Sequence, residues 1–116
     1  MINKTIEKII KRSGFEEFER GELRFVRAYI TTTRRYNSEL VVVDELVWEE
    51  EYEDFLNFIK TTGIQQFVVA DASTGLIGLL HFLIEKGCQI TGAALVEEKE
   101  RNTFSQDKKA LIIKVR

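Results

Sequence analysis

The sequence contains no proline, one cysteine and one histidine. These shortages argue against a proline-rich linker, an intrachain disulfide and a zinc site, respectively. Because no linker or repeat interrupts its 116 residues, we assign residues 1–116 to one α/β domain, within the usual size of roughly 100 to 150 residues. The lone Cys88 cannot form an intrachain disulfide, so we expect a buried thiol in a reducing compartment. His81 has no second histidine or cysteine nearby, so no zinc site is predicted.

The chain also lacks the apolar segments that enter membranes. No window approaches about 18 uncharged apolar residues, so no spanning helix is expected. Residues 1–8 carry charges every few positions and no apolar h-region, so we expect no signal peptide and a cytoplasmic location. The hydrophobic fraction of 44% is sufficient for a core that needs no disulfide, metal or cofactor.

Charge of both signs is present, but it is distributed unevenly. The formal net charge is only −2, yet residues 44–55 hold seven acidic and no basic side chains. Residues 1–43 hold nine basic and six acidic side chains, and residues 56–116 hold eight basic and six acidic ones. The three segments therefore carry +3, −7 and +2, which indicates a polarised surface and bears on partners rather than on fold.

The acidic segment leads into the clearest helix of the chain, at residues 48–62. Trp48, Tyr52, Phe55 and Ile59 lie at helical spacing and form one apolar stripe, with acidic side chains opposite. We expect the acidic side to bind a protein partner that has a basic surface. The residues assigned to this partner-binding surface are Glu49, Glu50, Glu51, Glu53 and Asp54. The alternative is a solvated face whose acids complement the helix dipole near its N-terminus.

Four apolar segments predict strands, and helices separate the first three. The strand segments are residues 39–44, 66–70, 88–96 and 109–115. Right-handed βαβ crossovers make the first three strands parallel, whereas the polar connection before the fourth predicts an antiparallel hairpin. The fold class is therefore α/β, with a four-stranded mixed sheet that combines three parallel strands from two βαβ units with a C-terminal antiparallel strand, packed with helices. Two N-terminal helices are predicted, from Ile2 to Arg12 and from Phe15 to about Arg34, with a break near Gly21.

The stretch from Phe67 to Leu80 is typical of a buried strand, a tight turn and a buried helix. The apolar residues from Leu76 to Ile84 leave this helix almost no polar face, so we expect it to be sandwiched between the sheet and another layer. Gly75 and Gly78 are three residues apart and would allow a close approach of the backbone on one side.

The turn in this stretch is a candidate ligand site, together with the end of the neighbouring strand. Free backbone N–H groups at a helix N-terminus can hold a phosphate or carboxylate, and two carboxylates at a sheet edge can bind magnesium. The residues of this candidate ligand turn are Asp44, Asp71, Ser73, Thr74 and Gly75. The alternative is that Ser73 or Asp71 caps the helix and Gly75 permits packing. Because no lysine completes a phosphate fingerprint, no catalytic residue and no metal ligand is assigned.

The second helix carries several arginines, which is the opposite electrostatic signal. Glutamates are interleaved with them, whereas a nucleic-acid footprint is usually a net positive stripe, so direct nucleic-acid binding is not expected. A homodimer through the exposed part of the first two helices remains open.

Several segments together resemble a family of small uncharacterised proteins carried on plasmids and mobile elements of Gram-positive bacteria. The resemblance covers about residues 39–96. It rests on the Val-rich strand ending in Asp44, the acidic aromatic helix, and the segments 70–76, 81–87 and Thr91-Gly92. It carries over no catalytic residue. By analogy it implies an accessory or counter-defence role, such as an anti-CRISPR inhibitor of Cas9.

Two functions are therefore expected as alternatives. The first is a non-enzymatic, protein-binding inhibitor of a nucleic-acid-directed nuclease such as Cas9, acting through the acidic surface. The second is a small-ligand or phosphate-binding protein, or an enzyme, that uses the turn from Asp71 to Gly75.

Overall fold

The computed structural model describes residues 4–71, 76–100 and 107–116. The helices are α1 (Lys4–Ser13), α2 (Arg20–Arg35), α3 (Tyr52–Thr61) and α4 (Leu76–Glu85), with 3₁₀ turns at Phe15–Glu17 and Glu49–Glu51. The strands are β1 (Tyr36–Asn37), β2 (Val42–Val43), β3 (Gln66–Ala70), β4 (Gln89–Glu98) and β5 (Lys108–Lys114). The fold is thus mixed α/β, as predicted.

The sheet differs from the prediction in strand number and order. It has five strands in the order β1-β4-β5-β3-β2, because the two residues of β1 add an edge strand that carries no sequence signal of its own. In the part of the sheet that the structure describes, β2 and β3 form the one hydrogen-bonded parallel pair. The β4–β5 hairpin is antiparallel as predicted, but β5 also pairs antiparallel with β3 and so separates β3 from β4. The second crossover therefore spans one intervening strand.

The sheet curls into a half-barrel, and its two edge strands meet through side chains. The Tyr36 hydroxyl on β1 donates a hydrogen bond to Asp44 Oδ2, just past β2, at 2.5 Å. The inside of the curl is filled by a small cluster in which alanines leave room for the curvature. This cluster consists of Tyr36, Val42, Val68, Ala70, Val96 and Ala110.

The other face of the sheet carries the main core, against α1, α2, α3 and one side of α4. At its centre the rings of Phe25, Phe55 and Phe67 meet edge to face, with centroids 5.4 to 6.2 Å apart. Thr32 joins α2 to the edge strand, since the Val42 amide donates to Thr32 Oγ1 at 2.8 Å. This bond gives the outer edge of β2 a hydrogen-bond partner. Thr32 thus has a structural role, although its helix propensity, taken alone, would only weaken α2.

The predicted break near Gly21 lies at residues 18–19, between the 3₁₀ turn Phe15–Glu17 and α2, while Gly21 itself lies buried in the first turn of α2. A Cβ at this position would lie 2.3 Å from the Glu51 carbonyl oxygen and 2.6 Å from the Phe55 amide nitrogen. The glycine therefore allows α2 to approach the start of α3 closely. The predicted helix ends are confirmed at Gly63 and Gly87, which have φ of 76° and 95°.

The predicted sandwich around α4 is wrong. Leu79 and Leu83 are fully buried, but Ile77 is 79% exposed and Ile84 is 51% exposed. Within the described residues only one side of α4 is covered, so its outer apolar side is a surface. Gly78 does permit a close approach, because a Cβ there would meet the Tyr52 hydroxyl oxygen at 2.6 Å, whereas Gly75 lies outside the described residues.

Candidate functional site

The acidic segment is held in place by buried residues on both sides of it. Val47 is 2% exposed, and Phe55 is fully buried in the core. Between them the 3₁₀ turn Glu49–Glu51 leads into α3. Because both ends are anchored, the four acids that point outward have a fixed position. These exposed acids are Glu49, Glu50, Glu53 and Asp54.

Glu51 was predicted to belong to this surface, but the structure places it in the interior. Its side chain is 2% exposed, and its Oε2 accepts a hydrogen bond from Arg24 Nε at 3.3 Å. Glu51 lies four residues before Phe55 and eight before Ile59, so it shares their buried stripe. An arginine from α2 compensates the buried charge, which makes Glu51 part of the α2–α3 packing rather than of the surface.

Helix α4 forms the wall opposite the acids. The rings of Tyr52 and Phe82 pack together with centroids 5.2 Å apart, and they join α3 to α4. Burial and the nearby Glu49 carboxylate raise the pKa of Tyr52. Further along α4, His81 Nδ1 lies 3.7 Å from Glu85 Oε1, and both side chains are well exposed. The wall is therefore apolar where Phe82 meets Tyr52, and its solvent side carries His81 and Glu85 together with the exposed Ile77.

These two walls enclose an open cleft of about 820 Å³. Among the described residues, its lining contains five carboxylates and no lysine or arginine. The lining residues are Glu49, Glu50, Tyr52, Glu53, Asp54, Ile77, Gly78, His81, Phe82 and Glu85. We call this surface the acidic cleft: an apolar floor with a negatively charged rim. The potential at such a cleft is negative, which favours cationic groups over anionic ones.

The candidate ligand turn is less well defined. Ser73, Thr74 and Gly75 lie outside the described residues. Asp44 and Asp71 both follow their strands as expected, but strand alternation places them on opposite faces of the sheet.

The two aspartates also have different surroundings. The side chain of Asp44 is 6% exposed, and its Oδ2 lies 3.8 Å from Lys108 Nζ and 4.0 Å from Arg35 Nη1. Together with the Tyr36 hydroxyl, these cations compensate its charge and close the half-barrel. Burial, and then the hydrogen bond to Asp44, raise the pKa of Tyr36. Asp71 is exposed, and its amide donates to the Lys109 carbonyl at 2.7 Å. Over residues 4–71, 76–100 and 107–116, no cluster of three or more His, Cys, Asp or Glu side chains could hold a metal.

The sequence predicts the exposed acids at the start of α3 but not the opposite wall of the cleft. This wall is lined by Ile77, His81, Phe82 and Glu85. The signal in the sequence is the apolar character of α4 on all sides, which favours burial on two faces. A helix of that kind also results when one face is covered by a partner, and the sequence alone does not separate the two cases.

In the part of the chain that the structure describes, every helix is too short or too polar to cross a bilayer. No curated protein and no solved structure matches the chain. A family model, the Domain of unknown function (DUF7698), matches residues 24–115, a region that includes both walls of the acidic cleft. The predicted resemblance to uncharacterised proteins is thus confirmed, but the match carries no link to plasmids, mobile elements or anti-CRISPR inhibitors. The chain belongs to the DUF7698 family of domains of unknown function.

Proposed function

We propose that this chain is a non-enzymatic protein-binding module that captures a lysine- and arginine-rich segment of a partner in the acidic cleft. The observation that carries the proposal is the composition of the cleft, in which the described residues place five carboxylates and no lysine or arginine around an apolar floor. At 0.15 M salt the charge of the carboxylates is felt over about 8 Å, the Debye length. The carboxylates therefore control the rate of association with a basic segment and the salt dependence of that rate. The floor adds apolar burial once contact is made.

The specific form of the proposal is inhibition of a nuclease that carries a positively charged nucleic-acid channel, such as Cas9. A negative cleft that occupies part of such a channel competes with the nucleic acid for the same cations. The sequence resemblance to mobile-element proteins motivates this specific form. The charge of the cleft supports only the general proposal, which is a surface that binds basic segments.

A labelled, unstructured peptide rich in lysine and arginine tests the general proposal by fluorescence anisotropy. The test variant is Glu49, Glu50, Glu53→Gln. The matched control is Glu16, Glu17, Glu100→Gln, which removes the same charge from exposed positions outside the cleft. We expect the peptide affinity to fall at least about tenfold in the test variant, which is about 1.4 kcal/mol, and to change little in the control. Equal losses in both variants would show non-specific attraction and contradict the proposal.

Purified Cas9 loaded with guide RNA is the probe for the specific form. Cleavage of target DNA is expected to slow when the chain is added at low salt, and the cleft variant is expected to lose this effect. Unchanged cleavage contradicts inhibition of Cas9, while the peptide titration still decides whether the cleft binds basic segments.

A further inference from the structure

The outer side of α4 is an apolar helix face that no other element covers within the described residues. Ile77, His81 and Ile84 lie at i, i+4 and i+7, so they form one stripe. The two isoleucines are 79% and 51% exposed. Seven residues of helix rise about 10 Å, so the stripe extends over two turns. Two exposed isoleucines on one helix face, separated by a histidine and bordered by carboxylates, are typical of an interaction surface.

We propose that this stripe docks an amphipathic α-helix of the partner, an inference that rests on the proposed function. The apolar side of that helix is flanked by lysine or arginine. The stripe and the acidic cleft share Ile77 and His81, so one partner segment contacts both. The apolar side of the partner helix covers Ile77 and Ile84. Its cationic flank then faces Glu50, Glu53 and Glu85 across the cleft.

Backbone hydrogen bonding favours a helix over an extended segment. Both walls are helical, and the free N–H groups of their first turns do not alternate with free C=O groups, so the walls offer no row of donors and acceptors to which a strand could pair. An extended segment on the apolar floor would leave its own backbone groups unpaired, at a cost for each one. A helix satisfies its backbone internally and presents side chains with the same periodicity as the stripe.

The charge of the rim excludes a second copy of this chain as the occupant. Two α4 stripes related by a two-fold axis would bring two identical sets of acids together. The acids of each set are Glu49, Glu50, Glu53, Asp54 and Glu85. Two sets of like charges brought together oppose association, whereas lysine or arginine on a partner complements them.

Three labelled peptides of about 18 residues, or about five helical turns, test this inference by fluorescence anisotropy. The first has leucines at helical spacing with lysines on both flanks. The second has the same composition in a scrambled order that gives no stripe. The third keeps the stripe but carries a central proline that prevents a continuous helix. We expect the first peptide to bind at least about tenfold more tightly than the other two, and its circular dichroism to show a gain of helix on binding.

The matched protein variants are Ile77, Ile84→Ser and Ile90, Leu95→Ser. All four residues are exposed, so neither variant threatens the core. The first variant is expected to reduce the affinity for the stripe peptide at least about tenfold without changing its salt dependence, and the second is expected to leave both unchanged. Because Ile90 and Leu95 lie on β4, the second variant controls for a general loss of surface hydrophobicity.

The scrambled peptide separates this inference from the proposed function. If the scrambled and stripe peptides bind equally and with the same salt dependence, the acidic cleft binds basic segments and the helix-docking inference is overturned. If the stripe variant binds like wild type, the inference is overturned as well. If neither peptide binds with a Kd below about 1 mM, both the inference and the proposed function fail.

Discussion

Replacing Gly21 by alanine is expected to destabilise the protein, although the same replacement inside a helix ordinarily stabilises one. Gly21 lies in the first turn of α2, against the segment that carries the acids of the cleft. An added Cβ would lie 2.3 Å from the Glu51 carbonyl oxygen and 2.6 Å from the Phe55 amide nitrogen. Both are backbone atoms, which cannot rotate away as the end of a side chain can.

Two opposing effects set the size of the change. Helix propensity favours alanine over glycine by up to about 1 kcal/mol. Against this, the shortest contact has to lengthen by about 1 Å to reach an ordinary van der Waals separation, and overpacking costs about 1 to 3 kcal/mol, occasionally more. Because backbone atoms form the contact, we expect the upper part of that range and a net loss of about 2 kcal/mol in the free energy of unfolding. The corresponding decrease in Tm is roughly 8 °C for a domain of this size.

Urea denaturation followed by circular dichroism measures this loss, and two other glycines provide controls. At Gly78 a Cβ meets only the Tyr52 side chain, with the hydroxyl oxygen at 2.6 Å, and that side chain can move, so Gly78→Ala is expected to cost clearly less. At Gly63 nothing lies within 4 Å, but φ is 76°, so Gly63→Ala is expected to cost about 1 kcal/mol through backbone strain alone. If Gly21→Ala is as stable as wild type or more so, the close approach of α2 to α3 is refuted.

Three further predictions concern buried polar groups. Arg24→Met leaves Glu51 without its cation and is expected to cost about 2 kcal/mol in urea denaturation, whereas Arg24→Met with Glu51→Met recovers most of the loss; an unchanged single variant contradicts the pairing. The pKa of Tyr36 is raised in the folded state. The stability that this shift contributes is therefore complete below pH 10.0, the ordinary pKa of tyrosine, and it decreases as the pH rises above that value. Tyr36→Phe is therefore expected to lose stability at pH 7 and to weaken the decline of Tm above pH 10, and an unaltered decline would count against this role. Burial raises the pKa of Cys88, which is 3% exposed, so a thiol reagent is expected to modify it only in denaturant, and rapid modification of the native chain would show otherwise.

Local signals in the sequence were sufficient for the elements but not for their arrangement. The β-branched run at β3, the C-terminal glycines Gly63 and Gly87, and the polar connection between β4 and β5 each act over a few residues, and each prediction is confirmed. The position of β5 between β3 and β4 depends on which free sheet edge the β4–β5 hairpin pairs with. Periodicity within a segment contains no information about that pairing, so the sequence alone predicts four strands with three of them parallel.

The candidate site shows the same division. The outward acids of α3 follow from helical spacing, and so does the burial of Glu51, which shares a stripe with Phe55 and Ile59. Helical spacing alone also extends the apolar stripe back to Trp48. The structure leaves Trp48 49% exposed, because the 3₁₀ turn Glu49–Glu51 changes the helical phase before α3 begins. The wall formed by α4 could not be predicted, because an apolar helix face looks the same in a sequence whether a core or a partner covers it.

The central claim is that the acidic cleft recognises a partner by opposite charge at defined positions, and a charge swap tests it most directly. The variant Glu49, Glu50, Glu53→Lys is titrated with the lysine-flanked stripe peptide and with a version that carries glutamate at the flanks, each at low and high salt. We predict that the variant loses the lysine peptide and gains the glutamate peptide, by at least about tenfold in Kd each way, and that high salt reduces both effects. A variant that still prefers the lysine peptide would contradict the claim.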